Sequence, residues 1–294
     1  MPITKAVVPV AGLGTRLYPA ARAVKKELFP VVDRDGTVKP VIQLIVEEAC
    51  VSGIEQVCLI VRPEDEAVFR RYFTETLPAD VEARLADSGL VRAVERVLEL
   101  GRHVDYVVQP QPEGFGHAVF CARSWVGDAP FLLMLGDHLS RSETATPCAR
   151  QLLDTFDRLG RSVVAVKRTP EEWLHLFGTI GGSPLADMPR VYRVTAFAEK
   201  PSVADARARL RIDGLEAGAY LCFFGQYALT PGVFEGLQFA IQHDVREQRE
   251  IQLTSALERV RQAEGGYAYE MQGERYDVGV PDGYARTVVA FART

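Results

Sequence analysis

Short apolar runs alternate with amphipathic stretches through the first half of the chain. Five runs are apolar throughout, at residues 7–10, 57–61, 106–108, 131–135 and 163–166. Runs this short, without alternating polar positions, are typical of strands that are buried on both faces of a parallel sheet. The pattern therefore predicts a sheet that lies between layers of helix.

Between these runs, apolar residues recur at three- and four-residue spacing, which predicts helices. The helices predicted for the first half cover residues 40–52, 64–73, 81–100, 117–126 and 147–159. The first begins at Pro40 and is followed by Gly53, and these residue types commonly start and stop helices. Strand–helix alternation predicts right-handed βαβ units. We expect an α/β fold, with a doubly wound, mostly parallel, Rossmann-like sheet and helices on both faces.

The second half of the chain is less regular. Strands are predicted at residues 191–198 and 221–224, and helices at 204–212, 231–242, 251–263 and 282–292. No linker, repeat or low-complexity segment divides the sequence. We therefore expect residues 1–294 to form a single domain, in which the second half builds the far wall of a cleft.

Composition narrows the class of protein. The 294 residues carry a net charge of -5, so no broad basic face is expected for binding nucleic acid or a membrane surface. The five cysteines are scattered and form no C-x-x-C motif, which favours reduced, mostly buried thiols. The five histidines lack zinc-site spacing. We see no signal peptide before the first strand, and no apolar run reaches transmembrane length, so we expect a cytoplasmic protein.

A glycine turn and a local excess of positive charge follow the first apolar run. Within eleven residues and without an intervening acid, the chain places four cations: Arg16, Arg22, Lys25 and Lys26. Glycines in the turn at 12–17 let backbone N–H groups approach an anion, and fixed cations hold it. We interpret this segment as a polyphosphate site at the end of a parallel strand.

Two common nucleotide motifs do not match this turn. Leu17 stands where a dinucleotide fingerprint needs its third glycine, and no acid follows the second strand, since Val61 precedes Arg62 and Pro63. There is also no G-x-x-x-x-G-K-[ST] sequence. A nicotinamide oxidoreductase and a P-loop protein are therefore poor interpretations.

Several further motifs follow in a fixed order along the chain. They are AGLGTR at 11–16, KELFP at 26–30, KPVIQ at 39–43, QPQPEGFGHA at 109–118, LGDH at 135–138, FG at 177–178, EKP at 199–201, EIQLT at 250–254, DVG at 277–279 and GY at 283–284. Together they resemble the bacterial UTP–glucose-1-phosphate uridylyltransferases of the sugar-phosphate nucleotidyltransferase superfamily. The resemblance covers nearly the whole chain. It implies the nucleotidyltransferase fold and transfer of a uridylyl group from UTP to glucose 1-phosphate.

The resemblance implies roles for the charged residues. The attacking phosphate oxygen is already an anion, so catalysis consists of positioning and charge neutralisation. Arg16 would hold the β- and γ-phosphates, and Lys26 would neutralise the triphosphate from the other side. Asp137, just beyond a predicted strand, would bind Mg²⁺. Asp277 is a second candidate ligand, although it could equally orient the sugar or cap a turn.

The base and the sugar are assigned by the same resemblance. Gln109 would read uracil, since one amide offers a donor and an acceptor. The rest of the nucleotide pocket would be formed by Gly114 and the glycine-turn residues Ala11, Gly12, Gly14 and Thr15. Glu199 would accept hydrogen bonds from sugar hydroxyls, Lys200 would hold the sugar phosphate, and Gly178 would let backbone approach the sugar. Adjacent strand residues point to opposite faces unless the chain bends, and Pro201 marks such a boundary.

Some alternatives stay open at this point. The motifs also match glucose-1-phosphate thymidylyltransferases, and a methyl contact discriminates uracil from thymine by only ~1–3 kcal/mol. Galactose or an amino sugar could replace glucose, and a non-catalytic nucleotide-sugar-binding subunit is a further alternative. The resemblance implies a homodimer or homotetramer, with residues 1–140 mainly binding nucleotide and 141–294 mainly binding sugar. Residues 33–38 are predicted to form a longer hairpin near the phosphate turn.

Overall fold

A computed structural model describes residues 2–247 and 249–292. Its strands are β1 (Lys5–Pro9), β2 (Pro30–Val32), β3 (Val38–Pro40), β4 (Gln56–Val61), β5 (Val104–Val108), β6 (Phe131–Met134), β7 (His138–Ser142), β8 (Val163–Pro170), β9 (Thr179–Pro184), β10 (Val191–Ala198), β11 (Ala219–Leu229), β12 (Tyr267–Glu270) and β13 (Gly273–Asp277). Its α-helices are α1 (Val41–Val51), α2 (Glu66–Thr74), α3 (Ala79–Leu85), α4 (Leu90–Gly101), α5 (Phe115–Cys121), α6 (Arg123–Val126), α7 (Cys148–Leu159), α8 (Val203–Arg209), α9 (Gly232–Gln242), α10 (Leu253–Glu264) and α11 (Pro281–Ala292). None of the described helices is long and apolar enough to cross a membrane.

Nine of the strands form one sheet, in the order β5-β4-β1-β6-β11-β8-β12-β10-β9. The first four are parallel, with Val7 opposite Cys58 on one side and Leu133 on the other. Alternate residues of β1 face opposite layers: Val8 packs in the cluster with α1, α2 and α7, and Val7 in the cluster with α5, α9 and α10. The predicted α/β fold with helices on both faces is confirmed for this half.

The prediction of a mostly parallel sheet is wrong for the second half. β11 is antiparallel to both β6 and β8, and β10 is antiparallel to both β9 and β12, which leaves β8–β12 as the parallel pair. The reason is topological. β9 and β10 are joined by a short turn, and a short turn can only connect antiparallel neighbours. β11 is eleven residues long, far beyond the predicted 221–224, and it joins the two halves into one sheet.

Two predicted helices are divided in the structure. The stretch 81–100 contains α3 and α4, which are separated at Gly89, a residue with φ 72°. The stretch 117–126 contains α5 and α6, separated at Ala122. Apolar spacing continues across both breaks, so periodicity alone does not reveal them. The hairpin predicted around residues 33–38 is confirmed by the pairing of β2 with β3.

A small antiparallel ribbon of β7 and β13 is absent from the sequence-based prediction. Its strands are short and largely polar, so they lack the apolar signal of the main sheet. The pairing places Asp277 directly opposite His138. Two segments that lie far apart in sequence thereby meet just beyond the end of β6.

Glu48 of α1 ties this region to the rest of the fold. Its carboxylate accepts hydrogen bonds from Ser140 Oγ at 2.6 Å, Ala149 N at 3.1 Å and Gln226 Nε2 at 3.0 Å. The three donors belong to β7, α7 and β11, so one side chain connects four elements.

Substituting Glu48→Ala removes all three bonds and leaves their donors unpaired. We expect the free energy of unfolding to fall by about 2–4 kcal/mol. Urea denaturation measures this loss, with Glu99→Ala on the exposed face of α4 as the control. Similar losses for the two variants would contradict a structural role for Glu48.

Candidate active site

One cavity of about 520 Å³ opens where several strands end. Gln109 follows β5, Asp137 follows β6 and Glu199 follows β10, which is the usual position of ligand sites in open α/β sheets. All the residues predicted from the sequence line this one cavity: Ala11, Gly12, Gly14, Thr15, Arg16, Lys26, Gln109, Gly114, Asp137, Gly178, Glu199, Lys200 and Asp277. Residues as far apart in the sequence as Ala11 and Asp277 thus lie around the same cavity.

The four cations near the glycine turn divide into two pairs. Arg16 and Lys26 line the cavity, whereas Arg22 and Lys25 do not. Lys25 Nζ instead donates to the Gly12 carbonyl oxygen at 2.9 Å and pairs with Asp65 at 2.9 Å. Lys25 therefore holds the turn in place, and Arg16 and Lys26 supply the positive charge that a ligand meets.

Lys26 and Asp137 form the charged centre of the cavity. Lys26 Nζ contacts Asp137 Oδ2 directly and lies 3.4 Å from Glu27 Oε1. Burial acts to raise the pKa of Asp137, but the Lys26 ammonium and the His138 ring outweigh it and hold that pKa well below its usual value. Burial likewise acts to lower the pKa of Lys26, and the Asp137 and Glu27 carboxylates more than reverse it. Both groups are therefore charged at neutral pH.

Glu27 was not predicted from the sequence, although it belongs to the KELFP motif. Its side chain is 1% exposed, and its Oε2 atom has no hydrogen-bond partner among the described residues. Burial raises the pKa of Glu27 to about 7, against the opposing effect of Lys26. A carboxyl buried beside two charged groups is unusual, and its position next to Lys26 in the KELFP motif is the sequence signal that pointed to it.

The carboxylates of Asp137 and Asp277 face one another beyond the β7–β13 ribbon. Ligand atoms of Asp137, His138 and Asp277 all lie within 4.8 Å of one another. Gly279 makes this approach possible, because a Cβ atom there would lie 2.7 Å from Asp137 Oδ2 and 2.9 Å from Asp277 Oδ1. Two hard oxygen donors with room between them fit a divalent cation.

Gln109 is 5% exposed, and its amide nitrogen is already engaged. Nε2 donates to the Gly114 carbonyl oxygen at 3.3 Å and contacts His117 Nδ1 at 3.1 Å. The side-chain oxygen is left as an acceptor for a base N–H group. The sequence-based prediction used both the donor and the acceptor of this amide, whereas the structure leaves only the acceptor available to the base. A donor to a base carbonyl has to come from elsewhere in the cavity.

Glu199 and Lys200 both face the cavity although they are neighbours in sequence. β10 ends at Ala198, and Lys200 has a φ of 42°, a left-handed conformation that few residues other than glycine adopt. The bend brings the two side chains to the same side, with Lys200 Nζ 3.9 Å from Glu199 Oε1. Thr254 Oγ1 donates to Glu199 Oε2 at 2.6 Å and fixes that carboxylate.

Sequence reasoning assigned no role to several other residues of the cavity wall. Besides Glu27 and Thr254, these include Phe177, Phe223, Tyr227, Glu250 and Gln252. Some of them lie within motifs that signalled the resemblance, at 177–178 and 250–254. Phe223 and Tyr227 lie on β11, where every position from 220 to 229 is buried, so no pattern distinguishes a cavity wall from ordinary core.

A cavity at the carboxyl ends of parallel strands, with a glycine turn and cations in its wall, is typical of α/β proteins that bind nucleotides. The family model for nucleotidyl transferases matches residues 5–293, and the chain belongs to this family. The resemblance drawn from the motifs is thereby confirmed.

Individual relatives agree with this assignment. A UTP–glucose-1-phosphate uridylyltransferase of Bacillus subtilis (strain 168) is 36% identical over 292 residues, which cover 99% of this chain and 91% of the relative. A crystal structure of UDP-glucose pyrophosphorylase complexed with UDP-glucose is 29% identical, with a TM-score of 0.79 and 98% of both chains covered. The UTP-bound UGPase from Acinetobacter baumannii is 28% identical, with a TM-score of 0.78, and the match covers 98% of this chain and 93% of that one.

The raised pKa of Glu27 predicts a pH dependence of stability. Between the ordinary pKa of 4.5 and the folded value of about 7, the folded protein binds more protons at Glu27 than the unfolded chain. The contribution of Glu27 to stability is therefore greatest below pH 4.5 and is lost as the pH rises through about 7. The glutamine in Glu27→Gln does not titrate. We therefore expect the unfolding free energy of the variant, relative to that of the wild type, to increase with rising pH by up to about 3 kcal/mol.

Urea denaturation from acid to alkaline pH measures this difference between the two proteins. Glu99→Gln, at an exposed position, is the matched control and should run parallel to the wild type. A Glu27→Gln profile that also runs parallel would show that Glu27 titrates normally.

Proposed function

We propose that this protein transfers the uridylyl group of UTP to glucose 1-phosphate and releases pyrophosphate. The observation that carries the proposal is that Arg16 and Lys26 of the glycine-turn segment line the same cavity as Glu199 and Lys200. A triphosphate and a sugar phosphate both need cations, and this cavity offers Arg16 and Lys26 for the first and Lys200 for the second. The relatives named for this activity, and the solved relatives with UTP or UDP-glucose, support the choice of substrates.

Charge neutralisation is the main task of the residues in this reaction. Arg16 binds the β- and γ-phosphates, which become the leaving pyrophosphate. Lys26 neutralises the triphosphate, and the carboxyl group of Glu27 lies beside its ammonium. Lys200 holds the phosphate of the sugar close to the α-phosphorus. No general base is needed, because the attacking oxygen is an anion near neutral pH.

Asp137 and Asp277 are the residues that would hold Mg²⁺. When bound, the ion supplies positive charge to the phosphate oxygens as negative charge shifts onto the leaving group. Asp137 is ready for this role because its low pKa keeps it ionised.

Recognition of the base and the sugar uses neutral and acidic groups. Gln109 accepts a hydrogen bond from the uracil N–H, and the backbone of Ala11, Gly12, Gly14, Thr15 and Gly114 completes the nucleotide pocket. Glu199, held by Thr254, accepts hydrogen bonds from sugar hydroxyls. Gly178 lets the backbone N–H approach a sugar hydroxyl. Its missing side chain also makes room for Phe223, since an added Cβ would lie 2.3 Å from that ring.

The proposal extends to organisation and location. Residues 1–140 mainly bind the nucleotide and residues 141–294 mainly bind the sugar, since Glu199, Lys200 and Gly178 belong to the second part. We place the protein in the cytoplasm, as a homodimer or homotetramer. Support for the location is that all five cysteines are free, as is usual for thiols in that compartment.

A substrate panel tests the proposed reaction. Pyrophosphate release is measured with UTP or dTTP, crossed with the 1-phosphates of glucose, galactose and glucosamine, in the presence and absence of Mg²⁺. We expect the highest kcat/KM for UTP with glucose 1-phosphate and none without a divalent ion. Higher kcat/KM with dTTP, or with another sugar, would replace the proposed substrate pair.

The control for this panel is Asp137→Asn, which keeps the size of the side chain. We expect its kcat to fall by about a thousandfold at saturating Mg²⁺, while its circular dichroism spectrum stays that of the wild type. Full turnover in this variant would remove Asp137 from the metal site.

Arg16→Ala separates the two phosphate sites. Loss of a charge-assisted contact costs about 1.5–3 kcal/mol, so the KM for UTP should rise roughly 10- to 100-fold. The KM for glucose 1-phosphate should stay within about threefold, because Lys200 provides that contact. Arg22→Ala, a cation of the same segment outside the cavity, should leave both constants unchanged. Equal losses for both substrates in Arg16→Ala would contradict the assignment.

A further inference from the structure

We propose that His138 is a third protein ligand of the divalent cation, and that it binds the ion through Nδ1. The inference rests on the proposed metal site at Asp137 and Asp277. Neither the sequence motifs nor the proposed mechanism gives this histidine a function, yet it lines the same cavity and is the one imidazole there among the described residues.

The spacing of the donor atoms supports direct ligation. His138 Nδ1 lies 2.9 Å from Asp137 Oδ1. Two donors bound to one ion at 2.0–2.1 Å and at right angles to each other are about 3 Å apart. The Asp137–His138 pair therefore already has the separation of two neighbouring ligands, and the ion would take the place of the Nδ1 proton.

Asp137 can share an ion with His138 without losing its contact to Lys26. The ammonium contacts Oδ2, whereas the imidazole faces Oδ1. Asp277, opposite His138 in the β7–β13 ribbon, completes a group whose ligand atoms all lie within 4.8 Å of one another.

The imidazole lies close to the backbone of β11. Gly225, at the irregularity of β11, lies against the ring, and a Cβ there would be 3.3 Å from His138 Cδ2 and 3.4 Å from Cγ. The side chain of His138 is only 15% exposed. Little reorganisation is therefore needed for the ring to bind an ion.

A nitrogen ligand has a chemical consequence for the choice of ion. Carboxylates suit Mg²⁺, whereas imidazole favours the later first-row ions such as Co²⁺. With two carboxylates and one imidazole, the site should accept Co²⁺ better than an all-oxygen site would, while still using Mg²⁺. The other interpretation is that His138 only donates a hydrogen bond to Asp137 and never meets the ion.

Pulsed electron paramagnetic resonance separates the two interpretations. The full chain is loaded with Mn²⁺ and UTP in the absence of sugar phosphate, so that no turnover occurs. We expect a directly bonded ¹⁴N coupling on Mn²⁺, which changes to the ¹⁵N pattern when the histidines are ¹⁵N-labelled. The coupling should vanish in His138→Gln and persist in His103→Gln, whose ring lies on the exposed surface beside Glu55.

The ³¹P coupling from UTP, read in the same sample, distinguishes failure of this inference from failure of the proposed function. Phosphorus coupling without nitrogen coupling would overturn ligation by His138 and leave the nucleotide and metal site intact. Absence of both couplings would overturn both proposals.

Metal preference gives a second, independent measurement. The ratio of kcat/KM with Co²⁺ to kcat/KM with Mg²⁺ should fall at least about fivefold in His138→Gln, since oxygen replaces nitrogen in the set of ligands. In His103→Gln that ratio should equal the wild-type value. An unchanged ratio in His138→Gln would contradict direct ligation.

Discussion

The contact between Lys26 and Asp137 is the interaction on which the site depends. It joins the segment after the glycine turn to the end of β6, and it holds two opposite charges in a largely buried place. Burial disfavours the ionised form of each group, and the opposite charge of the partner outweighs that effect. The pair thus places a cation suited to phosphate beside an anion suited to a metal ion, and each group keeps the other ionised.

The surrounding strands fix the position of that pair relative to the rest of the cavity. β11 lies between β6 and β8 and pairs with both, so it joins the nucleotide side of the sheet to the other side. The β7–β13 ribbon returns Asp277 to the neighbourhood of Asp137, and Glu48 braces the ribbon against α1, α7 and β11. Long-range strand pairing, and not local helix formation, therefore determines where the charges meet.

Much of the first half could be predicted because its signal is local. Runs such as 57–61 are short and apolar throughout, as is typical of a strand covered on both faces, and β4 occupies Gln56–Val61. The polar ribbon, the divided helices at Gly89 and Ala122, and the antiparallel second half could not be predicted in this way. Their directions and breaks depend on partners that are distant in sequence, and hydrophobic periodicity contains no information about those partners.

The sequence by itself determined the charged and glycine-turn residues predicted for the cavity, because motifs in a fixed order identify side chains whose chemistry suits phosphate, base and sugar. Only the tertiary structure decided how those side chains are used. In that structure Lys25 donates to the Gly12 carbonyl oxygen, the amide nitrogen of Gln109 already has a partner, and Glu27 is buried beside Lys26. The structure also brought Lys200 to the side of Glu199 through a left-handed bend. The physical reason is that residue type sets what a group can bond to, whereas burial and distance, which set its charge and its partner, arise only when remote segments pack together.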